Sequence, residues 1–128
     1  MLQKIEHYIS ALAQLEQAVA IYQKSQRDAL YRDGLIQRFE FTVELAWKPI
    51  KEYLEDQGST TPIATPRAVL KEAFAAGIIQ DADAWNKVIT ARNIASHVYD
   101  EKTAEDVAAQ ICNEFLPLLK ALGKFYRK

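Results

Sequence analysis

The chain has 128 residues, 49% of them hydrophobic and 26% charged, with a formal net charge of -1. That length suits one domain, expected to span residues 1–128, and the balance is that of a soluble globular protein rather than a disordered one. A near-neutral molecule lacks the overall field of a non-specific nucleic-acid binder, no apolar run approaches the ~20 residues of a bilayer-spanning helix, and the single cysteine, Cys112, excludes an internal disulfide and a cysteine-based metal cluster.

The opening stretch MLQKIEHYISALAQLEQAV mixes charge into its apolar pattern from the start, so it lacks the uninterrupted apolar segment of a secretory signal. Residence in the cytoplasm is expected. Leu2, Ile5, Ile9, Leu12, Leu15, Val19 and Tyr22 recur at helical steps, which predicts a first helix from about residue 2 to the mid-twenties. After Gly34, the residues Leu35, Phe39, Val43, Ala46, Ile50, Tyr53 and Leu54 fall on one side of a second long helix that stops near Gly58. Pro49 removes one backbone donor inside it, and a bend rather than a break is expected there.

GSTTPIATP is a loop by composition, and Thr65 followed by Pro66 is a capped helix start. A short third helix is predicted over about 66–76, ending at Gly77. Asp81 can cap the next helix, which carries Trp85, Val88 and Ile89 and runs on through ARNIASHVYD. Thr103 with Asp106 resembles a capping box for a final helix reaching about Phe125, with Cys112 read as packing within its apolar pattern. With no sustained period-two alternation, the pattern predicts an all-α protein: an antiparallel up-and-down four-helix bundle with a short extra helix.

On a helix over residues 84–100, Ala84, Val88, Ala91, Ala95 and Val98 form a narrow core stripe. Trp85, Ile89, Arg92, Ser96 and Tyr99 fall on its shoulder, while Asn93 and His97 face away from the core. Trp85 and Ile89 are too apolar to remain uncovered, and Phe41 and Leu45 are similarly displaced on the second helix. Together these four predict a second buried surface, a homodimer interface. Arg92 and His97 lie about 140° apart around the axis, so they converge best in a groove shared with another protomer, or with the long arginine side chain bending around the helix. Glu40 and Glu44, followed by Lys48, read as a solvated face with a Glu44–Lys48 pair, with no matching set of ligands to complete a metal cage. Lys120, Lys124, Arg127 and Lys128 gather at the last helix end, where the helix dipole favours cations and a local basic edge for RNA could form.

RNIASHVY matches the R-x4-H-x-Y signature of HEPN domains. LIQRFEFTVELAWK together with AWNKVITARNIASHVYDE resembles the nucleotidyltransferase substrate-binding branch of that superfamily, over nearly the whole chain. The resemblance implies a dimerising helical bundle encoded beside a minimal nucleotidyltransferase with which it forms a complex. It further implies a metal-independent endoribonuclease toxin of a toxin-antitoxin pair, with RNA as substrate and no cofactor. Arg92 and His97 are then the catalytic pair and Asn93 the supporting polar residue. Tyr99 is the acceptor of the AMP with which the partner silences the toxin.

The residue types suit that chemistry. RNA brings its own nucleophile, the 2′-hydroxyl, so the protein needs a proton acceptor, a proton donor and a positive charge beside the phosphate. An imidazole transfers protons near neutral pH, and a guanidinium presents a planar fork of donors to phosphate oxygens. The alternative expectation is a non-catalytic substrate-binding subunit of a two-component nucleotidyltransferase. The intact Arg92 and His97 favour the ribonuclease, and the near-neutral surface favours the subunit.

Overall fold

The computed structural model describes residues 1–58, 65–97 and 100–128, and every structural statement below concerns those residues. They are all-helical. Helix α1 (Leu2–Lys24) buries Tyr8, Leu12, Leu15, Ala18, Val19 and Tyr22. Its first turn departs from the expected stripe: Leu2 is exposed, and Tyr8 rather than Ile5 or Ile9 goes fully inside. Tyr8 tolerates full burial because its hydroxyl donates to the Leu119 carbonyl at 2.7 Å while its ring meets that of Tyr126 edge-on.

Helix α2 (Ala29–Ala46) starts before Gly34, not after it. The Asp28 carboxylate accepts from the Leu30 and Tyr31 N–H groups, and Leu35, Ile36 and Phe39 bury directly beyond. A cap and three core residues outweigh the ~1 kcal/mol that one helical glycine costs. At Pro49 the expected bend is a break: α2 ends at Ala46 and α3 (Lys48–Asp56) begins after Trp47. A proline cannot donate to the carbonyl four residues back and its ring collides with it, but the first turn of a new helix accommodates it.

Helix α4 (Pro66–Ala75) follows the sequence expectation at both ends. The Thr65 hydroxyl accepts from the Ala68 N–H, and Gly77 takes φ +77°. The Ile78 N–H then closes back on the Ala73 carbonyl at 2.8 Å, a helix stop that only a residue free of Cβ adopts cheaply. Helix α5 (Ala82–Ala95) is capped by Asp81 as expected. Its buried side is much wider than the narrow stripe, however, because α5 packs against α2, α4 and α6 together. Trp85, at 3% exposure, and Ile89 belong to this chain's own core and not to a shoulder.

Helix α6 (Glu101–Gln110) is capped by Asp100 rather than Thr103: its carboxylate accepts from both the Thr103 N–H and the Thr103 hydroxyl. A π turn over Ile111–Phe115, closed by the Leu116 N–H on the Ile111 carbonyl, leads into α7 (Leu116–Tyr126). The widened turn lies just before Pro117, which has no N–H to give, and it keeps Ile111 and Phe115 both inside. Phe115 stacks on Phe39 with ring centres 5.6 Å apart, joining α2 to the last rod at the centre of the core. Gly123 lets α7 approach α1 closely, since a Cβ there would lie 2.9 Å from a Leu12 methyl.

Four rods, α1, α2–α3, α5 and α6–π–α7, thus surround one core, with α4 as the short insert. The motif sits where α5 ends, α6 begins and α2 passes beside both. The loop expected within residues 59–64, and Val98 of the expected stripe, lie outside the described residues.

Candidate functional site

Helix α5 stops at Ala95, so the motif does not lie on one continuous helix as expected. Arg92 and Asn93 are in the last helical turn, Ser96 is the C-cap, and His97 follows in the turn with its N–H donating to the Ile94 carbonyl at 2.9 Å. The Ser96 hydroxyl donates to the Asn93 carbonyl. The helical projection that separated Arg92 from His97 therefore no longer applies to His97. Both Asn93 and His97 are exposed, as the sequence predicted. Tyr99 lies outside the described residues.

Arg92 turns from α5 toward α2. Its Nη2 is 3.5 Å from the Glu44 carboxylate, with the two side chains 35% and 42% exposed. Its Nε is buried without a hydrogen-bond partner among the described residues, an unmet donor at the motif itself. The guanidinium also occupies the last turn of α5, where the negative pole of the helix favours a cation. Glu44 does not form the expected ion pair with Lys48, because α2 ends between them and Lys48 starts another helix.

Beside the α5–α6 turn lies a groove of about 350 Å³ lined by Arg32, Asp33, Glu40, Asp100 and Glu101 among others. Its floor is Arg32, only 6% exposed, which donates through Nε to Asp33 and places NH1 3.5 Å from Glu101 at the start of α6. Burial works against that charge, yet the hydrogen bond and charge of Asp33, with Glu101, raise the guanidinium above its ordinary pKa. Hydrogen bonds from the Thr103 hydroxyl and N–H hold the Asp100 carboxyl below the usual carboxylate range, so the rim is anionic at neutral pH. Four carboxylates against one buried guanidinium make this an acidic wall next to the motif. Sequence reasoning missed Arg32 because it was placed before the helix. The available signal was Asp28, whose capping starts α2 early enough to turn Arg32 inward.

Of the four residues offered as an uncovered surface, Trp85 and Ile89 are withdrawn into the core, while Phe41 stays 60% exposed and Leu45 is half-buried. Phe41 and Leu45 border a shallow groove with His7, Gln14 and Arg38 of about 300 Å³ between α1 and α2. The described residues hold no cluster of three or more His, Cys, Asp or Glu suited to a metal, and no helix long and apolar enough to cross a membrane. Cys112 is half-buried, and burial pushes its thiol up.

Two solved structures match this arrangement over nearly the full chain. A solved structure from Haemophilus influenzae, HI0074, described as revealing the fold of a substrate binding domain of a nucleotidyltransferase, superposes with a TM-score of 0.84 at 31% identity, covering 97% of this chain and 99% of that one. A crystal structure from Thermus thermophilus superposes with a TM-score of 0.80 at 27% identity, covering 94% of this chain and 99% of that one. A probable ribonuclease HepT of Haemophilus influenzae is 41% identical over 86 residues, 65% of this chain. The match spans 58% of the length of that relative. The family model described as nucleotidyltransferase substrate binding protein like matches residues 3–128. The chain belongs to this HEPN-like nucleotidyltransferase substrate-binding family.

Proposed function

We propose that this chain is a HEPN-type ribonuclease toxin that cuts RNA without a metal, residues 1–128 acting as one domain, and that a partner minimal nucleotidyltransferase silences it by adenylylating Tyr99. The observation that carries the reading is that exposed His97 and Arg92, whose buried Nε has no acceptor among the described residues, lie within six residues at the end of α5. The likeness to a probable ribonuclease HepT supports it.

In the reaction, the RNA 2′-hydroxyl attacks the adjacent phosphorus as a base removes its proton. The bond from phosphorus to the 5′-oxygen breaks as an acid protonates that oxygen, leaving a 2′,3′-cyclic phosphate and a 5′-hydroxyl. His97 of one protomer and His97 of the partner subunit serve as base and acid. Arg92 stabilises the charge on the phosphorane oxygens, and Asn93 supports the site from the turn before His97. The homodimer closes over Phe41 and Leu45, the part of the expected surface that stays outside the core, along the groove between α1 and α2.

The acidic groove at the motif turn favours a second reading, in which the chain is a non-catalytic subunit that presents a substrate to the transferase. Incubating the purified protein with RNA in EDTA separates the two. Cleavage that Arg92→Ala and His97→Ala each abolish, with the fold intact, is the expected result. RNA left whole at high protein concentration would favour the presenting subunit.

A further inference from the structure

We infer that Glu44 is a positioning residue that aims the Arg92 guanidinium, an inference that rests on Arg92 acting on the phosphate. Three observations lead there. Glu44 lies on the last full turn of α2, a helix anchored on its other side by buried Thr42, Val43 and Ala46, so its carboxylate projects from a rigid platform. The break at Trp47 takes Lys48 out of the helix, leaving the Glu44 carboxylate to face Arg92 across the α2–α5 contact. Finally, the contact is one-sided: Glu44 reaches only Nη2, while Nε stays buried with no acceptor among the described residues.

A guanidinium is a planar fork, so a carboxylate beside one terminal nitrogen biases its rotation and with it the direction in which the remaining donors point. At 3.5 Å, and with both groups more than a third exposed, the pair is too loose to withhold Arg92 from a phosphate. It orients the fork without sequestering it. Glu40, one turn earlier, lines the acidic groove instead and has no part in this pair.

The test compares Glu44→Ala with Glu44→Gln, which keeps an oxygen acceptor of the same reach. Glu44→Ala is expected to lower kcat for RNA cleavage by about 10- to 100-fold with KM little changed, the cost of a misaimed group. Glu44→Gln should recover most of the loss. A raised kcat in Glu44→Ala, a KM effect alone, a lowered melting temperature with kcat intact, or equal loss in both variants would each overturn the inference. A second arm needs no catalysis: the Arg92 Nε–H signal in 15N NMR, assigned by its loss in Arg92→Lys, should broaden or shift in Glu44→Ala and hold in Glu44→Gln. An unchanged signal in Glu44→Ala overturns the inference. Uncut RNA with the NMR response present instead sinks the catalytic reading of Arg92 and leaves the Glu44 contact standing.

Discussion

Replacing Trp85 with alanine decides whether this tryptophan serves the fold or an interface. At 3% exposure it sits with Val88 and Ile89 in the core, and it also borders the apolar cleft formed by Ile78, Leu118 and Leu122. Truncating a buried tryptophan loses its transfer free energy and leaves a cavity, together about 3–5 kcal/mol. For a chain of this size that lowers the melting temperature by about 10–20 °C. Phe41→Ala removes a ring that is 60% exposed, so it should change the stability of the fold by no more than about 0.5 kcal/mol. If the proposed homodimer closes over Phe41 and Leu45, Phe41→Ala weakens that dimer while Trp85→Ala destabilises the protomer. Urea unfolding monitored by far-ultraviolet circular dichroism measures the stability of the protomer and sedimentation equilibrium that of the dimer. A Trp85→Ala protein that keeps its stability within about 1 kcal/mol while shifting toward monomer would refute the placement of Trp85 in the core.

Burial raises the pKa of the Tyr8 and Tyr126 hydroxyls, so both stay protonated in the folded state at a pH where the unfolded chain ionises. Their contribution to stability is complete below pH ~10 and falls above it by up to about 1.4 kcal/mol per pH unit for each tyrosine. Unfolding curves between pH 9 and 11 should show that decline, and Tyr8→Phe should flatten it. Asp100→Ala removes the acceptor of the Thr103 N–H and hydroxyl at the start of α6, which should lower the urea midpoint in the same unfolding assay. The loss should shrink as pH drops low enough to protonate Asp100, since its carboxyl is held down only in the capped state. Co-expression with the partner transferase and ATP should add one or more AMP units at Tyr99, read by intact-mass and peptide mass spectrometry. Tyr99→Phe should stay unmodified and escape silencing, whereas modification elsewhere would remove Tyr99 from the proposal.

The sequence by itself determined what local chemistry controls. Helical class follows from apolar spacing, and the caps at Thr65 and Asp81 and the stop at Gly77 follow from side chains that satisfy or release backbone groups within a few residues. The exposure of Asn93 and His97 and the family resemblance were available in the same way, because the motif is short and contiguous. What the tertiary structure decided involves partners distant in the chain. Trp85 and Ile89 went inside because α5 is covered by three helices at once, which no single helical wheel contains. Arg32 met Glu101, far along the chain, because α6 begins beside α2, and Glu44 met Arg92 because Pro49 ended α2 before Lys48 could compete. Periodicity names the apolar side of one helix, whereas the width of the buried arc and the choice among competing charge partners depend on which helices pack against it.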